Sequence, residues 1–242
     1  MNSVTTPRTA LITGATRGIG RATALALADD GYDLIVHGRT PERLRTLAEE
    51  ITARGRRCHS VTADLVDDDA PAVIARAAAP WGERLDVLLN NAGQTLSQPA
   101  AEVAPEDWDR LMRINARAPF FLTQAVLPLL RRAEIPVIIN VGSVVATKGY
   151  ALQAAYTASK HALHGWSKVM AKELQTEGIR LHVINPGGVA TDMVKSVRPD
   201  IDPAGLIAPE EIARVIVFLL RQRGNAVIDE INIRRDGKEP FI

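Results

Sequence analysis

Short apolar runs alternate with longer segments of helical period along the whole chain. Thr9–Thr13, Asp33–His37, His59–Ala63, Val87–Asn90, Val137–Val141, Leu181–Ile184 and Val227–Ile233 read as strands. Between them, Gly18 to about Asp30, Pro41–Arg54, Ala70–Ala79, Glu106–Leu130, Gln153–Gly178 and Glu210–Leu220 read as helices. Proline near the start of the second helix suits a first turn, where its missing N–H is no loss. Strands alternating with helices need parallel crossovers and a sheet covered on both faces. No repeat, low-complexity segment or linker-like stretch interrupts the pattern, so residues 1–242 are expected to form one doubly wound α/β domain.

Composition narrows the function classes. The chain has 242 residues, 46% hydrophobic but only 4% aromatic, so its core must be built from Ala, Val, Ile and Leu. A net charge of +1 argues against bulk electrostatic binding to nucleic acid or an anionic membrane. Cys58 is the single cysteine, which excludes an internal disulfide and a cysteine metal cluster and suits a reducing cytoplasm. Met1–Arg8 lacks the apolar stretch of a signal peptide, and no apolar run approaches the ~20 residues of a membrane span. Of the five histidines, His161 and His164 are three apart on one helix, but no third ligand accompanies them. No metal is expected.

The turn after the first strand reads Thr13-Gly14-Ala15-Thr16-Arg17-Gly18-Ile19-Gly20. Glycines there turn the backbone tightly and let a pyrophosphate approach it, while the following helix offers free N–H groups and the positive end of its dipole. A glycine turn in this place predicts a dinucleotide site on a Rossmann-type fold, with a mostly parallel central sheet of about seven strands. The second strand ends at Gly38-Arg39, where an acid would bind a ribose 2′-hydroxyl. Arg39 instead suits a 2′-phosphate, with Arg17 as a second contact and no nearby acid expected to compete, so NADP(H) is expected over NAD(H). Asp64, with Leu65 beside it, either accepts a bond from the adenine amino group or caps the next helix. Asn91-Ala92-Gly93 leave room for a ribose, whereas Asn90 is expected to hold the loop.

Ser143, Tyr156 and Lys160, with Asn115 upstream, carry the chemistry. Tyr156 and Lys160 are four apart on a helix and share a face. An ammonium beside a phenol favours the phenolate and draws its pKa of about 10 toward the working range. That pair suits proton transfer to a carbonyl oxygen. Asn115 is either part of the site or an ordinary buried polar residue marking a bend, since Asn is a poor helix former.

Taken together, these residues resemble the short-chain dehydrogenase/reductase family. The Thr-Gly-x-x-x-Gly-x-Gly turn, Asn-Asn-Ala-Gly, Ser…Tyr-x-x-x-Lys and Pro186-Gly187-Gly188-Val189-Ala190-Thr191 match in order from about Thr9 to Thr191. The resemblance implies hydride delivery from a nicotinamide to a small-molecule carbonyl, or removal from an alcohol, with Tyr156 as proton donor or acceptor. It implies that Lys160 lowers the Tyr156 pKa and binds the nicotinamide ribose, and that Ser143 holds the substrate oxygen. Asn115 would hold a relay water, while Pro186, Gly187, Val189 and Thr191 would face the nicotinamide. It also implies a homodimer or homotetramer through the two long helices. Ser143–Lys160 and the glycine turn are similar to bacterial 3-oxoacyl carrier-protein reductases. The close of the chain, Ile231-Asn232-Ile233-Arg234-Arg235-Asp236-Gly237-Lys238, departs from their Asp-Gly-Gly. A small-carbonyl reductase, a 3-oxoacyl thioester reductase and a silent NADP-binding sensor therefore stand as readings, intact Ser143, Tyr156 and Lys160 opposing the last. Gln94, Leu96, Val145, Gln153, Gly187 and Met193 are expected in the substrate wall; Lys195 and Arg198 nearby could meet a carboxylate or phosphate, but are read first as exposed surface charge.

Overall fold

The computed structural model describes residues 7–81, 83–197, 200 and 202–240. Seven strands form one sheet in the order β3-β2-β1-β4-β5-β6-β7, and every neighbouring pair is parallel. They are β1 (Thr9–Ile12), β2 (Asp33–Gly38), β3 (Cys58–Thr62), β4 (Val87–Asn90), β5 (Val137–Val141), β6 (Arg180–Pro186) and β7 (Glu230–Ile233). The helices are α1 (Gly18–Asp29), α2 (Pro41–Thr52), α3 (Ala70–Ala78), α4 (Pro105–Met112), α5 (Ala118–Leu130), α6 (Ala154–Gln175), α7 (Asp192–Val197) and α8 (Pro209–Arg221).

Period-two alternation divides each strand between two apolar layers. Ala10, Ile12, Leu34, Val36, Val87 and Leu89 point to the face covered by α1, α2 and α8. Leu11, Ile35, Leu88 and Ile138 point to the face covered by α3, α5 and α6. Both faces are buried, which is why the strands read as near-continuous apolar runs. The chain leaves β1 toward β2 on one side and returns to β4 on the other. This reversal opens a crevice at the carboxyl ends of β1 and β4, the usual ligand position in such sheets.

Two expectations change. The helix expected over Glu106–Leu130 contains a π-helical turn at Arg113–Arg117, between α4 and α5. Asn115 lies in that turn, where its side chain satisfies the backbone of a neighbouring loop. The last strand begins at Glu230 rather than Val227. The short helix α7 lies between β6 and α8.

Candidate active site

The carboxyl ends of the strands open into one cleft of about 1800 Å³. At one end lies the glycine turn. Gly14 and Gly18 have φ of +65° and +52°, conformations that favour glycine. A Cβ on Gly14 would stand 2.8 Å from Ala92 Cα, and one on Gly18 2.9 Å from Thr191 Cγ2. The turn is thus pressed against the two loops opposite it. Asn91 ties it down, donating from Nδ2 to the carbonyls of Thr13 (2.9 Å) and Gly14 (3.1 Å). The α1 N-terminus opens into the cleft, and its N-cap Arg17 makes no capping bond. An extended diphosphate fits this cradle of glycine backbone and free helix N–H groups.

Thr16, Arg17, Gly18 and Ile19 line the cleft, as do Arg39, Asp64 and Leu65 beyond them. Gly20 does not line it. A Cβ there would come 2.3 Å from the Gly14 carbonyl oxygen, so its role is to let α1 close on the turn. Both arginines expected to bind phosphate have acidic neighbours. Arg17 Nη1 lies 3.3 Å from Asp192 Oδ2, and Arg39 Nη1 lies 3.6 Å from Asp64 Oδ2. The expectation of no competing acid is corrected, because the ends of β2 and β3 are adjacent in the sheet. Asp64 does not cap α3. Its Oδ1 accepts from the Val66 N–H at 3.2 Å in a local turn. Arg43, on the first turn of α2, also faces the cleft. Sequence reasoning missed it because nothing separates it from the other arginines of an amphipathic helix.

His37 joins these parts. Its Nδ1 accepts from the Gly14 N–H (3.4 Å), and its Nε2 lies 3.1 Å from the Ala63 carbonyl. Burial pushes its pKa below the ordinary histidine value, outweighing the Ala63 bond. A neutral ring with the proton on Nε2 satisfies both contacts.

At the other end lie Ser143, Tyr156 and Lys160. Ser143 follows β5, and its oxygen accepts from the Val145 N–H at 3.3 Å. Burial raises the Tyr156 pKa above its ordinary value, and the neighbouring Ser143 hydroxyl opposes the rise. Lys160 is only 4% exposed, and burial lowers its pKa to about 8. Its Nζ donates to the Val141 carbonyl at 2.8 Å, so the ammonium is held at the end of β5. The expected depression of the Tyr156 pKa by Lys160 is not seen in this geometry, where desolvation dominates.

Asn115 is 1% exposed and does not line the cleft. Its Oδ1 accepts from the Gln94 N–H (2.8 Å), and its Nδ2 donates to the Gln94 carbonyl (2.7 Å) and Ser159 Oγ (2.9 Å). It clamps the loop after Gly93, and both Asn115 Oδ1 and Lys160 Nζ lie within 3.6 Å of where a Gly93 Cβ would stand. Asn90 makes the structural bonds expected of it, to Thr123 Oγ1 and Asn140 Oδ1.

Asn91, Ala92, Gly93, Pro186, Gly187, Val189 and Thr191 line the cleft between its two ends. Gln94, Val145, Gln153 and Met193 also line it, whereas Leu96 does not. Its neighbours Thr95 and Ser97 take that wall, as alternation along extended chain requires. Lys195 is exposed outside the cleft. Arg198 lies outside the described residues.

Behind Ser143 stands a polar chain that sequence reasoning did not find. Asn185 Oδ1 accepts from the Ser143 N–H (3.1 Å), and its Nδ2 donates to Glu230 Oε1 (2.9 Å). Glu230 Oε2 lies 2.8 Å from His164 Nε2. Burial raises the Glu230 pKa, but bonds from His164, Asn232 and Asn185 outweigh it and hold the carboxyl below its ordinary value. Gly142 makes room for this chain, since a Cβ there would sit 2.1 Å from Asn185 Oδ1.

Comparison with known proteins agrees with this geometry. A 3-oxoacyl-(acyl-carrier-protein) reductase from Synechocystis sp. is 34% identical over 96% of this chain and 96% of its own. A metagenomic short-chain oxidoreductase solved in complex with NADP superposes with a TM-score of 0.82 and 35% identity, covering 94% of this chain and 97% of that one. A short chain dehydrogenase of Shigella flexneri complexed with NADP gives a TM-score of 0.87 and 35% identity, over 94% and 96%. The short chain dehydrogenase profile matches residues 8–202, and the chain belongs to that family.

Proposed function

We propose that this chain is an NADP(H)-dependent oxidoreductase that interconverts a small-molecule carbonyl and its secondary alcohol. One observation carries the reading: Ser143, Tyr156 and the buried Lys160 ammonium share a single cleft with the glycine turn and Arg39. When bound, the reduced dinucleotide supplies a hydride to the carbonyl carbon. Tyr156 Oη gives its proton to the carbonyl oxygen, and burial keeps that proton on the phenol until it is needed. Ser143 Oγ, oriented by the Val145 N–H, donates to the same oxygen and stabilises its developing charge. Lys160 Nζ supports the phenolate left on Tyr156 and binds the nicotinamide ribose. Asn115 acts on the site by fixing the Gly93–Gln94 backbone beside Lys160.

NADP(H) is favoured over NAD(H) by Arg17, Arg39 and Arg43 around the adenosine end and by the NADP complexes of the two solved relatives. The Arg39–Asp64 pair is half-exposed, so its net worth is at most about 1 kcal/mol. A 2′-phosphate would displace it readily. A homodimer or homotetramer is proposed through α4, α5 and α6, where Trp108, Phe121 and Val169 are exposed. No helix among the described residues is long and apolar enough to cross a membrane, and a cytoplasmic location is proposed.

A 3-oxoacyl thioester is the second substrate reading, favoured by the Synechocystis relative. The deciding assay is NADPH oxidation, with NADH alongside, against ketones, aldehydes, oxo acids and a 3-oxoacyl thioester. Tyr156→Phe should abolish turnover of every active compound while NADPH still quenches protein fluorescence. Turnover retained in that variant would refute Tyr156 as the proton donor.

A further inference from the structure

The segment after β7 lines the cleft beside Pro186–Gly188. The Gly187 N–H donates to the Ile233 carbonyl at 2.7 Å, which draws the segment after β7 alongside Pro186–Gly188. Arg234 then folds this segment on itself. Its Nη1 donates to the carbonyls of Arg235 (3.1 Å), Asp236 (2.8 Å) and Lys238 (2.9 Å). The turn so fixed lays Arg235 across Gly188, with Cδ and Nε 3.5 and 3.6 Å from where a Gly188 Cβ would stand. At those distances the Arg235 stem is in ordinary contact range of Gly188, and Leu206 Cδ2, at 3.0 Å from the same point, is the closer neighbour.

Arg235 is half-buried, lines the cleft and has no ion pair or side-chain hydrogen bond among the described residues. The other charged side chains of this wall do not neutralise it. Asp192 is paired with Arg17, Lys238 adds a second cation, and Glu239 is the remaining acid at the rim. A guanidinium with its stem packed and its donors unspent is suited to a planar oxyanion, which it can grip with two parallel N–H bonds.

We propose that Arg235 is a specificity-determining residue that selects substrates carrying an oxyanion, a carboxylate or a phosphate, on the carbonyl compound. This rests on the oxidoreductase reading and deepens it from carbonyls in general to anionic ones. The anion held by Arg235 on the β6–β7 side orients the carbonyl so that its oxygen meets Ser143 and Tyr156. A neutral 3-oxoacyl thioester lacks the group that this wall is built to hold.

Two measurements test the proposal. First, wild type, Arg235→Met and Arg235→Lys are assayed with NADPH on an oxo acid and its methyl ester, on dihydroxyacetone phosphate and dihydroxyacetone, and on a neutral 3-oxoacyl N-acetylcysteamine thioester. The wild type should favour one anionic member over its neutral partner, and the productive pair tells carboxylate from phosphate. Arg235→Met should lower kcat/KM for that anion about 10- to 100-fold, chiefly through KM, and collapse the anion-to-neutral ratio toward one. Arg235→Lys should restore part of it, and NADPH affinity should stay within twofold. Equal wild-type use of charged and neutral members, or a preference for the neutral thioester, overturns the proposal. So does an equal loss on both members with weakened NADPH, which would make Arg235 a cofactor or folding contact.

Second, the Tyr156→Phe enzyme loaded with NADPH is titrated by calorimetry with the same oxo acid and its ester. Tighter binding of the acid, lost on adding Arg235→Met, supports the proposal without any turnover. Equal binding of acid and ester overturns it. Failure of the oxidoreductase reading shows separately, as a wild type that turns over none of the compounds.

Discussion

Lys160 is a charge that the fold holds at its own expense. Burial lowers its pKa from 10.5 to about 8. At 1.36 kcal/mol for each tenfold change in proton affinity, that is about 3 kcal/mol of unfavourable ammonium burial at pH 7. Lys160→Met keeps most of the aliphatic stem and removes the charge. Against this gain, the Val141 carbonyl loses a 2.8 Å donor, a loss of about 1 kcal/mol. The variant should therefore be about 2 kcal/mol more stable than the wild type at pH 7, and its Tm higher by roughly 4–8 °C for a chain of this size. It should also be inactive. The sign follows the protons. Below about pH 8 both states of the wild type hold the lysine proton, and the full penalty applies. Between about pH 8 and 10.5 the folded state releases it first, so wild-type stability rises with pH relative to the variant. Above that range both states are neutral and the penalty is gone. Urea unfolding of both cofactor-free proteins at pH 7, 8, 9 and 10, at one protein concentration, checks this. A variant less stable than wild type at pH 7, or a difference that does not shrink with pH, refutes the reasoning.

Other outcomes follow from the same geometry. Reduction of a neutral carbonyl should fall about tenfold per pH unit above about pH 8 as Lys160 loses its charge, with Tyr156 still protonated because burial raises its pKa; a pH–rate profile flat to pH 10 would contradict this. Arg39→Asp should weaken NADPH by about tenfold or more and leave NADH nearly unchanged, and an equal loss by fluorescence titration defeats the cofactor assignment. Gly142→Ala places a Cβ 2.1 Å from Asn185 Oδ1. It should lower kcat more than it raises KM, by displacing the Ser143 N–H from its acceptor; unaltered kinetics would show that the Asn185 chain does not position Ser143. Gly14→Ala, at φ +65° and 2.8 Å from Ala92 Cα, should weaken NADPH about tenfold or more, and calorimetry showing unchanged affinity would remove the turn from the cofactor site.

The alternation of apolar runs and helical segments determined the fold class without help, because burial of both sheet faces leaves a continuous hydrophobic signal in each strand. The glycine turn, Arg39 and Tyr156–Lys160 were also legible, since each depends on spacing within one element or at one strand end. Pairings across the sheet were not. Asp64 reaches Arg39, and Asp192 reaches Arg17, only because separate strand ends and loops converge on one crevice. The direction of the Tyr156 pKa shift was not legible from the helix face alone, because it is set by desolvation, a tertiary effect. Asn115 was ambiguous in the sequence, and only the fold shows its side chain bonded from the π turn to Gln94 and Ser159. His37, Asn185, Glu230 and Arg235 carried no motif at all. Their importance comes from contacts between residues far apart in the chain, and such contacts exist only once the sheet has placed its strand ends side by side.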